Sequence, residues 1–192
     1  MQDSTRLTLI QRVTDNKDEK SWEEFFGVYR PYIMGLVKKM GIEFNEVEDI
    51  TQKILVTLWQ KMPDFEYRPG QCKFRSWVTL ISRTAISDFR KLKQNKMRNK
   101  IDSDEIPESK IDSEVEQLSE LEWKKFIYNL AWERIAGRFK EKELNAFKLS
   151  SKKSAKEVAE ETGLGESTVY LYKKRVETAM LKQIYNLNYE LG

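Results

Sequence analysis

Lys73, Arg75, Arg83 and Arg90 alternate with Phe74, Trp77 and Phe89 in the stretch KFRSWVTLISRTAISDFR, directly after the loop EYRPGQCK. Guanidinium and ammonium groups neutralise a phosphate backbone, and aromatic faces stack on bases that have left a duplex. The positive charge is also concentrated. Between Arg68 and Lys100, Asp88 alone opposes Arg68, Lys73, Arg75, Arg83, Arg90, Lys91, Lys93, Lys96, Arg98 and Lys100. From Asp102 to Glu122 the balance reverses: Asp102, Asp104, Glu105, Glu108, Asp112, Glu114, Glu116, Glu120 and Glu122 face only Lys110. A net charge of +3 therefore hides a basic block followed by an acidic one. A solvated helix face usually interleaves both signs, so the basic run has the footprint of a nucleic-acid contact. Rings beside it suit single-stranded or melting DNA better than intact duplex.

Other chemistries are poorly supplied. The 192 residues contain one cysteine, Cys72, and no histidine, which removes intramolecular disulfides, cysteine metal clusters and the usual general base. No pair of carboxylates stands apart from ordinary solvated helix faces, so neither an enzyme nor a cofactor is expected. With 40% hydrophobic and 11% aromatic residues the chain can build a packed core. No apolar run approaches the roughly 20 residues that span a bilayer, and the first residues lack a secretory pattern; a cytoplasmic protein is expected.

The elements that must position these residues are helical. Apolar residues recur at three and four, strand-like alternation is absent, and glycine and proline are sparse. The spacing predicts helices near Thr5–Val13, Trp22–Met40, Asn45–Lys61, Phe74–Lys93, Ser119–Arg138, Glu141–Leu149, Ser154–Thr162 and Glu166–Tyr185. Asn95 to Gln117 has few large apolar residues, a central Pro107 and no sustained period, and reads as a connector. The class is all-α: two small helical domains, 1–94 and 119–192, joined by a charged linker at 95–118, the second a helix-turn-helix domain.

On a helical wheel, Phe74, Trp77, Val78, Ile81, Ala85, Phe89 and Leu92 form a core-facing stripe, with Arg75, Thr79, Arg83 and Arg90 opposite. The preceding helix is apolar most of the way round. Val47, Ile50, Ile54, Leu58 and Met62 face the core, while Leu55, Val56 and Trp59 lie with Glu48, Asp49 and Gln52. Either a second protein covers that face, or Leu55 and Trp59 are buried beneath the first helices.

The last domain carries a more specific pattern. Ser154 and Glu157 have capping-box spacing, and Ala159, Gly163 and Val169 follow at the offsets of a helix-turn-helix. Ala is small where two helices cross, Gly permits the turn, and Val169 anchors the second helix. Val158, Leu164, Tyr172, Val176 and Met180 complete the packing stripe. Glu166, Ser167, Tyr170, Leu171, Lys174 and Arg175 then project toward a major groove.

The order of EDITQKILVTLWQKMPDF, PGQCKFRSWVTLISRTAISDFRK, a charged linker and a terminal helix-turn-helix resembles the extracytoplasmic-function (ECF) sigma factors of bacterial RNA polymerase. The resemblance runs from about Thr5 to Ile184. It implies that Asp49, Gln52, Lys53 and Val56 dock to the clamp helices of the polymerase β′ subunit. It implies that Gln71, Lys73, Phe74, Arg75, Ser76, Trp77, Thr79 and Arg83 meet the non-template strand of the −10 element as it melts. Phe74 and Trp77 would shape the scaffold there, with a base captured outside the stack near the loop. The helix-turn-helix residues would read the −35 element, with the β flap a further partner. Promoter recognition and strand opening are then the function, and nucleotide transfer belongs to the polymerase.

Some positions depart from the family pattern. Lys53 stands where an acidic residue is common, and Tyr170, Tyr172, Lys173 and Gly165 replace the usual residues around the recognition helix. Control by a separate anti-sigma protein or by expression level stays open, as does a resting state with the DNA faces hidden. A dimeric helix-turn-helix regulator would explain the second domain and the basic charge but not the Asp49, Gln52 and Val56 face. A helical adaptor would need neither DNA face.

Overall fold

The computed structural model describes residues 9–16, 19–66, 73–97 and 108–191, without the side chains of 15–16, 96–97 and 108–114. The helices are α1 (Leu9–Asn16), α2 (Glu19–Lys39), α3 (Phe44–Lys61), α4 (Phe74–Met97), α5 (Glu108–Ala136), α6 (Glu141–Leu149), α7 (Ala155–Thr162) and α8 (Glu166–Leu191), with a 3₁₀ turn at Met62–Asp64. No strand occurs among the described residues, and the all-α expectation holds. Gln71 and the connector residues 98–107 lie outside the described residues.

Helix ends follow from local chemistry. Past α2, Gly41 takes φ 77, which a side chain would resist. Its N–H donates to the Lys38 carbonyl at 3.1 Å, and the Ile42 N–H reaches that of Val37 at 3.5 Å. This is a Schellman stop. After α3, Pro63 enters a 3₁₀ turn in place of further α-helix.

Two compact units result: residues 1–126 with 190–192, and residues 127–189. The first is built on α2, which packs against α1, α3 and α4. Its centre is aromatic. Phe25, Tyr29, Tyr32 and Phe74 are buried, with Phe25 stacked on Tyr29 at 4.5 Å and edge-on to Phe74 at 5.9 Å. In the second unit Ala146, Val158 and Val169 form the core, flanked by Leu149, Ala155, Ala159, Leu164 and Tyr172.

Two expectations are corrected. Helix α5 begins at Glu108 rather than Ser119, so the second half of the expected connector is helical. The periodicity of this half is weak because its side chains are mostly polar and its apolar residues, Ile111, Val115 and Leu118, are few. On α4 the buried arc is Phe74, Val78, Ile81, Ser82 and Ile86, while Leu92 is exposed. Ser82 tolerates burial because its hydroxyl donates to the Val78 carbonyl at 2.8 Å.

Pro31 sits inside α2 on the exposed side. It has no N–H for the Gly27 carbonyl and presses its ring on that turn, a cost of about 3 kcal/mol in a helix interior. The entropy it removes from the unfolded chain offsets roughly 0.4–1 kcal/mol. Pro31→Ala is therefore expected to stabilise the protein by about 2 kcal/mol, read as a higher urea midpoint at unchanged slope. A lower midpoint would show that α2 requires the bend.

Candidate nucleic-acid interface

Lys73, just before α4, and Ser76 on it are exposed, whereas Arg75, Trp77, Thr79 and Arg83 are half-buried. Phe74 is fully buried, ringed by Phe25, Tyr29, Phe65 and Trp77. It is a core residue, which corrects its place among the strand-contacting residues and keeps its scaffold role. Trp77 packs its ring 4.3 Å from that of Phe65.

The arginine face is also more occupied than the wheel predicts. Arg75 pairs with Glu120 of α5 at 2.5 Å, and its guanidinium lies 5.8 Å from the Trp123 ring centroid. Thr79 Oγ1 is 2.6 Å from Ser119 Oγ, which is itself 2.8 Å from the Tyr32 hydroxyl. Burial pushes the Tyr32 phenol above its ordinary pKa, against the hydrogen bonds of Ser119 and Thr79 and the charge of Arg75. Desolvation raises the Glu120 carboxyl, but the charges and hydrogen bonds of Arg75 and Lys124 outweigh it and hold the group below its ordinary value. Farther along α4, Arg90 donates to the Met40 carbonyl, and Lys93 pairs with Glu43 at 2.7 Å and Glu46 at 3.1 Å. The wheel missed these partners because α5 and the α2–α3 turn supply them from distant parts of the chain.

Helix α3 resolves its two-sided pattern by splitting it. Val47, Ile50, Ile54, Leu55, Leu58 and Met62 are buried. Asp49, Gln52, Lys53 and Val56 are exposed, and Trp59 is 52% exposed. At 100° per residue these five fall within about 120° of the circumference. Trp59 therefore shares the exposed face of Asp49, Gln52, Lys53 and Val56. Its helical spacing signalled this, but sequence alone left its burial open.

In the second unit the capping box is formed: Glu157 accepts from the Ser154 N–H at 2.8 Å, and its own N–H donates to Ser154 Oγ at 3.3 Å. Hydrogen bonds from the Ser154 side chain and then its backbone hold the Glu157 carboxyl below its ordinary pKa. Gly163 takes φ 69 at the turn, and Val169, Val176 and Met180 are buried. Glu166, Ser167, Tyr170, Leu171, Lys174 and Arg175 are all exposed on α8.

Glu143 is a residue that sequence reasoning missed. Buried at the start of α6, it accepts from the Lys140 N–H at 3.0 Å and from Arg175 at 2.6 Å, so it fixes the Arg175 side chain of α8. Glu143→Ala is expected to destabilise the chain by about 1–3 kcal/mol, because the first turn of α6 and Arg175 both lose an acceptor. Thermal unfolding checks this, and an unchanged midpoint would show that water replaces the carboxylate.

Residues 25–95, from Phe25 in α2 to Asn95 in α4, match the family model described as Sigma-70 region 2. Over 89 residues the chain is 28% identical to the ECF RNA polymerase sigma factor RpoE of Cereibacter sphaeroides, covering 46% of this chain and 48% of that protein. Residues 25–95 of the chain thus carry a Sigma-70 region 2 domain. The chain spans about half the length of the curated relative it matches. Among solved structures, CnrH in complex with the cytosolic domain of CnrY aligns over 93% of this chain and 96% of that one, at 14% identity and a TM-score of 0.37. Among the described residues, no helix is long and apolar enough to cross a membrane.

Proposed function

We propose that this chain is the promoter-recognition subunit of a bacterial RNA polymerase, acting in transcription initiation. The observation that carries the reading is the coincidence of the region 2 match with helices α2 to α4, whose surface offers an exposed arc on α3 beside a basic, aromatic helix. Asp49, Gln52, Lys53 and Val56, with Trp59, dock on the β′ clamp helices. Lys73, Arg75, Ser76, Thr79 and Arg83 engage the displaced −10 strand over a scaffold set by Phe74 and Trp77, together with Gln71 of the preceding loop. In the second domain Glu166, Ser167, Tyr170, Leu171, Lys174 and Arg175 meet the −35 duplex, and the β flap contacts this domain. The first unit, up to residue 126, and the second, residues 127–189, are then the two functional domains, and their covalent connection gives them avidity for correctly spaced elements. An anti-sigma protein is a candidate regulator.

The reading is tested by run-off transcription on a promoter library with bacterial core polymerase. Initiation that requires this chain supports it. Duplex binding with no effect on polymerase would replace it with a dimeric helix-turn-helix regulator.

A further inference from the structure

In the first unit, α5 presents to α4 each kind of group that a DNA strand would present. The Glu120 carboxylate stands 2.5 Å from Arg75, where a phosphate oxygen would bind. The Trp123 ring lies 5.8 Å from the same guanidinium, as a base would. Ser119 meets the Thr79 hydroxyl at 2.6 Å. The surface of α2 is kept bare beneath this seam: a Cβ on Gly35 would stand 2.7 Å from Glu122 Oε2.

We propose that the α5 segment around Ser119–Trp123 is an intrachain latch that occupies part of the strand-binding face of α4 in the free protein and is displaced when a single strand takes Arg75 and Thr79. The idea rests on the reading that α4 meets promoter DNA. Its ion pair is partly solvated, with Glu120 at 41% side-chain exposure, whereas Ser119 and Trp123 are buried, so opening the latch also lifts the Trp123 ring off Tyr32. The acidic block that begins at Asp102 is thereby used within the chain, as a stand-in for the nucleic acid it would otherwise repel.

The decisive protein is the full chain with Thr79→Cys and Ser119→Cys in a Cys72→Ser background. The two hydroxyl oxygens are 2.6 Å apart, close enough for a disulfide of about 2.05 Å to form with small adjustment. Two readouts are taken on oxidised and reduced protein: anisotropy of a short fluorescein-labelled, mixed-sequence single strand, and run-off initiation with core polymerase. Oxidation is expected to weaken strand binding by about tenfold or more, because the competent fraction falls with the latch closed, and reductant restores it. The Cys72→Ser parent should not respond to reductant. Equal binding by the oxidised and reduced forms overturns the latch, as does an absence of strand binding in every form.

Glu120→Gln supplies an independent arm in which nothing is cross-linked. It should raise strand affinity about threefold over wild type, whereas Glu116→Gln, the same charge change at an exposed site on α5, should have a smaller effect. Equal gains would mean net charge alone is at work and would overturn the proposal. If wild-type protein binds the strand in a latch-dependent way but supports no initiation, the latch stands and the promoter-recognition reading fails.

Discussion

Phe74→Ala is expected to destabilise the first unit by roughly 3–5 kcal/mol. The ring is fully buried at the first residue of α4 and touches four others: Tyr29 and Phe65 at 5.3 Å between centroids, Trp77 at 5.4 Å and Phe25 at 5.9 Å. Truncation removes the transfer free energy of the ring, leaves a cavity among neighbours that cannot all collapse into it, and deletes several edge-to-face contacts. Against a total stability of about 5–15 kcal/mol this is close to unfolding. Urea unfolding of the full chain measures it. Phe74→Leu, which keeps most of the volume, should cost markedly less. A loss below about 1 kcal/mol in Phe74→Ala would contradict the burial described here. Any defect in strand binding by this variant is then a folding defect, since the side chain is not at the surface.

Asp49→Arg should do the opposite: leave the fold intact and remove polymerase-dependent initiation. Asp49 is exposed on α3, and exposed substitutions away from special features shift stability within about 0.5 kcal/mol. At an interface, by contrast, reversing a charge that is desolvated on docking costs about 2–5 kcal/mol or more. That corresponds to roughly 30-fold to several-thousand-fold weaker binding. Trp59→Ala tests the same arc without a charge change, since a large aromatic at the centre of an interface is a common hot spot worth about 2 kcal/mol or more. Competition for core polymerase and run-off transcription give the readout, with thermal unfolding as the control. Full initiation by both variants would move the docking surface off α3.

Much of this protein was legible in its sequence where the determining physics is local. Helix periods placed α2, α3, α6 and α7 close to their observed bounds, and the start of α8, which runs to Leu191 rather than Tyr185. Ser154 with Glu157 and then Gly163 marked the start and stop of α7, because a capping box and a left-handed turn are set within a few residues of chain. The buried stripe Val47, Ile50, Ile54, Leu58 and Met62 on α3 followed from the same periodicity. Tertiary structure decided what a wheel cannot. It buried Leu55 but exposed Trp59, turned the core-facing arc of α4 toward Ser82 and Ile86, and laid α5 over Arg75 and Thr79. An amphipathic helix fixes which side is apolar, but the width and rotation of the covered arc depend on the helices that pack there. Those partners come from distant parts of the chain: Ser119 meets a hydroxyl 40 residues earlier, and the Arg90 guanidinium finds a carbonyl 50 residues away. Whether a charged side chain faces solvent, a nucleic acid or its own chain is settled only when those segments meet.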